Sequence, residues 1–141
     1  FFSDNEGFLH AIDPATGVAM WSYLPTETMG NLADFMVNGE TGNKIYGLDG
    51  NIRPVRIDLN DNGIIEPGAG DRVILYFGMR RGGETIYAVD VTRKDSPRLL
   101  WKADSATLPN VGQTWSTPVP ASSGHMTILA PSWAAVTVRA R

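Results

Sequence analysis

Cysteine is absent, which excludes disulfide staples and thiolate metal centres without choosing a compartment. Histidine is nearly absent. His10 and His125 are the two present, and neither lies in a Ser-His-Asp or His-Glu spacing, so no catalytic residue is expected and His10 is read as a packed strand residue. No run approaches the ~18 apolar residues that a membrane-spanning helix needs, so no membrane span is expected. There is no basic surplus either: 12 Lys and Arg against 15 Asp and Glu leave a net charge of −3. Arg80-Arg81 is an isolated pair, so nucleic acid is not an expected partner. The opening residues Phe1-Phe2-Ser3-Asp4 carry neither a basic n-region nor a cleavage site. A chain that opens on two phenylalanines is expected to be a piece of something longer, and 141 residues should hold one compact domain at most.

What is present is an oxygen-rich loop, Asp58-Leu59-Asn60-Asp61-Asn62-Gly63-Ile64-Ile65-Glu66. A hard cation such as Ca²⁺ takes six to eight oxygens at about 2.3–2.6 Å. Alternate residues of a tight loop aim Asp58, Asn60 and Asn62 inward, Ile64 offers its carbonyl, and Glu66 closes the shell with its carboxylate. Gly63 permits the bend. The competing reading is a plain hairpin, because Asn-Gly is a strong turn signal without any metal. A plain turn, however, does not require acids at both ends. Asp61, at the fourth place, points outward as a solvated turn residue; Asp71 either adds an oxygen or solvates its turn, and the latter is expected. With two formal charges among the donors, affinity should be modest and suited to extracellular calcium.

Around this loop the chain reads as short strands. Residues 7–13 alternate, with Phe8, His10 and Ile12 on one side and Leu9 and Ala11 on the other. A turn over 13–17 uses Pro14 to fix φ and Gly17 to supply a positive one, and 18–24 returns as a strand carrying Trp21 and Tyr23. Residues 85–90 repeat the pattern of 8–13, and Leu99-Leu100-Trp101 echoes Ala19-Met20-Trp21. The two copies lie about eighty residues apart, more than the ~40–50 of one propeller blade, so something is inserted. The insert reads as a short helix over 26–36 with Thr26 as N-cap, a loop over 37–43, and strands over 44–48, 53–58 and 72–78. Gly82-Gly83 turns the chain into the second copy, and 112–118 starts a further strand. Beyond Pro120 the pattern fails, although 127–130 has strand character.

The ordered set "GFLHAIDPATG…W", "YGLDG", "RRGGETIYAVDVT", "LLW" and "GQTWSTPV" resembles the C-terminal propeller domain of PilY-type proteins, the tip-associated biogenesis factors and adhesins of bacterial type IV pili. The likeness runs from Phe1 to about Val119. It implies an all-β fold: part of a modified, quinoprotein-like β-propeller of four-stranded antiparallel blades, here with a short helical insert. It also implies an exported parent at the cell surface, pilus tip or outer membrane, which supports pilus assembly, twitching and surface attachment. Its partners would be other pilus components such as minor pilins, the rest of its own propeller, and a host or abiotic surface. Calcium on a short Asp/Asn loop is a theme of the family, and the matching positions are Asp58, Asn60, Asn62 and Glu66. The best-known calcium loop of the family lies further along the propeller. Residues 1–120 are therefore expected to form a partial propeller, and 121–141 an irregular tail. Family members continue into a "GGGY" strand, and one back-translation of 125–136, read two bases later, gives "HDDPRAVVGGGY". The tail is accordingly expected to be a frameshifted, non-native sequence.

The remaining features are read structurally. Trp21, Trp101 and Trp115 are expected to be packing anchors between blades. Arg80-Arg81-Gly82-Gly83 forms a solvated turn rather than an anion cradle, and its glycines do not match a nucleotide-binding loop. The alternatives to a calcium-responsive adhesion module are a quinoprotein dehydrogenase fragment, with Ca²⁺ holding the quinone, and an outer-membrane scaffold propeller.

Overall fold

In a computed structural model, residues 1–37 and 44–120 are described. They form two antiparallel sheets with few helices. The first sheet has three strands in the order β1-β2-β3: β1 (Phe2–Ser3), β2 (Leu9–Ile12) and β3 (Ala19–Tyr23). The second is a four-stranded meander, β4-β5-β6-β7: β4 (Ile52–Ile57), β5 (Arg72–Gly78), β6 (Ile86–Asp90) and β7 (Arg98–Ala103). Neither sheet closes on itself among the described residues. The 121–141 tail, the 127–130 strand and the 38–43 part of the loop lie outside them.

The internal repeat is real, and it extends to an irregularity. In the first hairpin Ala11 pairs with Trp21 and Ile12 with Ala19, so Met20 is an extra residue on β3. In the second, Ala88 pairs with Trp101 and Val89 with Leu99, so Leu100 is the extra residue on β7. A bulge bends its strand and re-aims the side chains on either side. Here it sits immediately before the tryptophan in both copies.

Strand alternation explains the core. Leu75 and Phe77 of β5 and Tyr87 and Val89 of β6 share one face, where they meet Leu9 of β2, Leu48, Met79 and Val91. Trp21, Tyr23, Ile52 and Val73 pack at its margin. Phe77 and Tyr87 stack with centroids 5.1 Å apart. All five residues of β6 are buried, so this strand is covered on both faces. Trp21 also ties the two sheets together, its indole N–H donating to the Lys94 carbonyl at 2.8 Å.

Three expectations are corrected. The helix over 26–36 is two short helices, α1 (Thr26–Met29) and α2 (Leu32–Val37), and the residue at the α1 N-cap is Pro25. Thr28 anchors α1: its buried hydroxyl donates to the Pro25 carbonyl at 2.9 Å and faces Gly7, fixing α1 against the first sheet. Residues 44–48 and 112–118 are not strands. Their backbones are spent on long-range contacts: Leu48 N–H donates to Asp4 O at 3.1 Å, and Thr114 N–H to Gly83 O at 3.3 Å.

These irregular segments meet at a glycine joint. A methyl on Gly82 would lie 1.7 Å from the Gly47 carbonyl oxygen, and one on Gly50 would lie 1.9 Å from that of Gly78. Thr114 accepts hydrogen bonds from the amides of Met79 and Arg80 at 2.9 and 3.0 Å. Arg81 pairs with Asp49 at 2.6 Å and lies over the Tyr46 ring. The "YGLDG", "RRGG" and "GQTW" stretches are thus one structural knot, and Arg81 is a brace within it rather than a solvated turn residue. Trp115 anchors no packing among the described residues. It is 55% exposed and carries the Arg80 guanidinium 5.2 Å above its ring. Trp101 packs on Tyr76, within the second sheet.

Candidate metal loop

The β4–β5 hairpin holds the oxygen-rich loop. Its last ladder pair is Ile57 with Arg72, so Asp58 and Asp71 face each other across the hairpin mouth. Asp71 is 1% exposed and accepts the amides of Leu59 at 3.0 Å and Glu66 at 2.8 Å. These two hydrogen bonds outweigh burial and lower its pKa below the ordinary carboxylate value. Asp71 is therefore neither a solvated turn residue nor a donor pointing at the loop centre. It clamps both ends of the loop.

Inside that clamp the side chains of Asn60 and Asn62 are tied to Glu66, and that of Asp58 to the loop backbone. Asp58 Oδ2 accepts the Gly63 amide at 2.7 Å, Asn60 Oδ1 that of Asn62 at 3.1 Å, and Asn62 Oδ1 that of Ile64 at 2.7 Å. The carboxamide nitrogens of Asn60 and Asn62 both donate to Glu66 Oε2, at 3.3 and 2.9 Å. Arg56 reaches the Gly63 carbonyl at 2.8 Å. Asp61 takes a positive φ of 56° and is exposed, as a turn residue should be, and Gly63 takes 78°. Ile64 turns its side chain outward, 63% exposed.

Among the described residues one buried side-chain atom has no partner. Asp58 Oδ1 is buried and accepts no hydrogen bond. A buried carboxylate oxygen without a donor is costly, and an ion is one ordinary way of satisfying it. The donor set consists of hard oxygens, and an amide oxygen that accepts one N–H keeps a second lone pair. These residues fit an oxygen-seeking cation in chemistry. Among the described residues no three His, Asp or Glu side chains gather closely enough to hold a metal by themselves, so the two carboxamides are indispensable to any such site.

Sequence reading missed the clamping role of Asp71, and missed Arg56 altogether. The signal for Asp71 was register: strands at 53–58 and 72–78 place it opposite Asp58. Arg56 gave none. A second polar grouping was also missed. His10 bonds Asp4 at 2.7 Å and Ser22 at 2.8 Å, between the rings of Phe2 and Phe8. Asp4 simultaneously caps the amides of Glu6 and Phe8, and His10 and Ser22 are cross-strand partners. The grouping therefore braces the first sheet.

No family model matches the chain. Its fold is similar to that in the crystal structure of the Pseudomonas aeruginosa PilY1 C-terminal domain, with a TM-score of 0.55 and 22% identity over 84% of this chain and 21% of that one. In sequence it is 32% identical over 123 residues to the type IV pilus biogenesis factor PilY1 homolog of Xylella fastidiosa, covering 87% of this chain and 9% of the relative. It is 30% identical over 140 residues to the type IV pilus biogenesis factor PilY1 of P. aeruginosa, covering 97% of this chain and 11% of the relative. The chain belongs to the PilY-type family and corresponds to part of the C-terminal domain. It spans about a tenth of the length of these curated relatives.

Proposed function

We propose that the chain is a calcium-binding, non-enzymatic segment of a type IV pilus assembly and adhesion protein, built as part of a β-propeller. Three features support the propeller reading: the four-stranded meander, the repeated bulged hairpin, and a core shared by two successive sheets. The pilus role is proposed from the relatives' names. It would place the parent outside the cell, at the surface or pilus tip, in company with minor pilins, the rest of its propeller and an attachment surface, supporting pilus biogenesis and twitching. The observation that carries the calcium reading is the unpartnered, buried Asp58 Oδ1, in a loop whose Asn60 and Asn62 carboxamides are already gathered on Glu66.

Asp58, Asn60, Asn62 and Glu66 would hold the ion through side chains, and Ile64 through its carbonyl. The bound ion would neutralise the Asp58 and Glu66 carboxylates and stiffen the hairpin. Calorimetric titration with CaCl₂ tests this. Binding with Kd of about 0.1–1 mM is expected, the range of extracellular calcium modules, with no heat from Asp58→Ala. Equal heats from both proteins would remove the site. Pyrroloquinoline quinone should produce no absorbance change or dye reduction, and either one would favour a dehydrogenase instead.

A further inference from the structure

A cleft of about 390 Å³ opens at the end of the four-stranded sheet where β5 and β7 begin and β6 ends. Arg72, Arg93 and Arg98 line it with Thr92, Ser96 and the carboxylate of Asp90, and the 3₁₀ turn Pro67–Ala69 supplies part of the far wall. Asp90 is the buried floor, its side chain 8% exposed, with one oxygen saturated by the Thr92 amide and hydroxyl. Its other oxygen receives Arg72 at 3.2 Å and Arg98 at 3.5 Å. Two guanidinium groups thus share one carboxylate oxygen. Asp71 also borders the cleft, but both its oxygens are occupied by backbone amides.

Neutralising Asp90 accounts for Arg72 and Arg98. It does not account for Arg93, which makes no ion pair among the described residues. Three arginines therefore border a cleft whose two carboxylates have their oxygens already engaged, in a chain whose net charge is negative. Each guanidinium carries five N–H donors in a planar fork that matches a carboxylate or phosphate, and most of these donors remain unused here. The cleft volume falls within the range of small-molecule sites.

We propose that this cleft binds a small oxyanion, a phosphate or a carboxylate, on Arg72, Arg93 and Arg98, with Ser96 as a neutral donor. Arg93 is the residue whose donors are free for it, and Arg72 and Arg98 are held in place by Asp90. The proposed contacts are to arginines and not to the metal loop, so the site is tested in calcium-free buffer without a carboxylate chelator, which would itself compete.

The test follows arginine side-chain N–H signals of the 141-residue chain by NMR. Potassium phosphate and sodium glucuronate are titrated separately, at ionic strength held constant with chloride. Saturable shifts are expected with at least one of them, and the tighter of the two identifies the group recognised. Arg93→Gln should weaken that binding about tenfold while leaving the unliganded melting temperature unchanged. Arg98→Gln provides a second reading through another guanidinium, and a comparable loss in either variant supports the site. Shifts that never saturate, that chloride reproduces, or that persist undiminished in both variants would overturn it.

Discussion

At the scale of single residues, the loop depends on a division of labour between two aspartates. Asp58 presents an unsatisfied oxygen, and Asp71 spends both of its oxygens on the Leu59 and Glu66 amides. Asp71→Asn keeps the shape but replaces one acceptor with a donor, so one loop amide loses its partner. Calcium affinity should fall about tenfold or more, as it does when residues supporting metal ligands are changed. Calorimetry reads this directly, and the melting temperature should fall as well. Glycine gives an independent residue-scale test. Gly82→Ala drives a methyl against the Gly47 carbonyl, backbone against backbone, and should cost about 3 kcal/mol or more. Gly68→Ala, with nothing within 4 Å, should stay within about 0.5 kcal/mol. Urea titration of both variants decides. That Asp58, Asn60, Asn62 and Glu66 share one tight loop was readable in the sequence because such a turn is local. The role of Asp71 was not, because it arises from strand register. The glycine joint was still less readable, because nothing in a string of residues says that Gly82 will lie against Gly47.

At the scale of elements, local periodicity succeeded where the backbone satisfies itself in ladders. Strands β2, β3, β4, β5, β6 and β7 fall on the expected segments, and the repeat seen in the letters reappears as one hairpin geometry, bulge included. Periodicity failed at 44–48 and 112–118, where the backbone bonds distant loops instead of a neighbouring strand. It failed also in the helix, where apolar spacing said nothing of the Thr28 anchor. Helix α1 is held from a second side by Glu27, which accepts hydrogen bonds from Lys102 on β7 and Tyr87 on β6. Burial alone would raise the Glu27 pKa, but these bonds outweigh it and hold it at about 2. A carboxyl depressed in the folded state stabilises above its ordinary pKa of 4.5, and that contribution is lost as pH falls from there towards about 2. Glu27→Gln should therefore reduce stability at neutral pH by about 1–2 kcal/mol, discounted for partial exposure. It should also flatten the dependence of melting temperature on pH between about 4.5 and 2. A variant whose acid profile matches the parent's would contradict this.

At the scale of the whole molecule, two sheets share one core, yet β1, β3, β4 and β7 each have a single hydrogen-bonded neighbour among the described residues. Exposed apolar side chains accompany these edges: Phe2 on β1, Met20 on β3, and Leu99 and Leu100 on β7. Bare edges and apolar faces favour association. The 141-residue chain is therefore expected to melt at a temperature that depends on protein concentration. A sharp, concentration-independent transition of a monomer, seen by calorimetry and sedimentation together, would count against an open portion of a larger array. The all-β class and the family were readable because the motifs occur in a fixed order. Closure into a propeller is a property of how many such sheets follow one another, which this stretch of chain does not carry.

The most direct measurement is a high-resolution crystal structure grown with CaCl₂. It should show an ion at about 2.3–2.6 Å from Asp58 Oδ1, with carboxamide or carboxylate oxygens of Asn60, Asn62 and Glu66 and the Ile64 carbonyl in the same shell. Asp58 Oδ1 facing water, with the Asn60 and Asn62 amides still on Glu66 and no ion between them, would contradict the calcium reading.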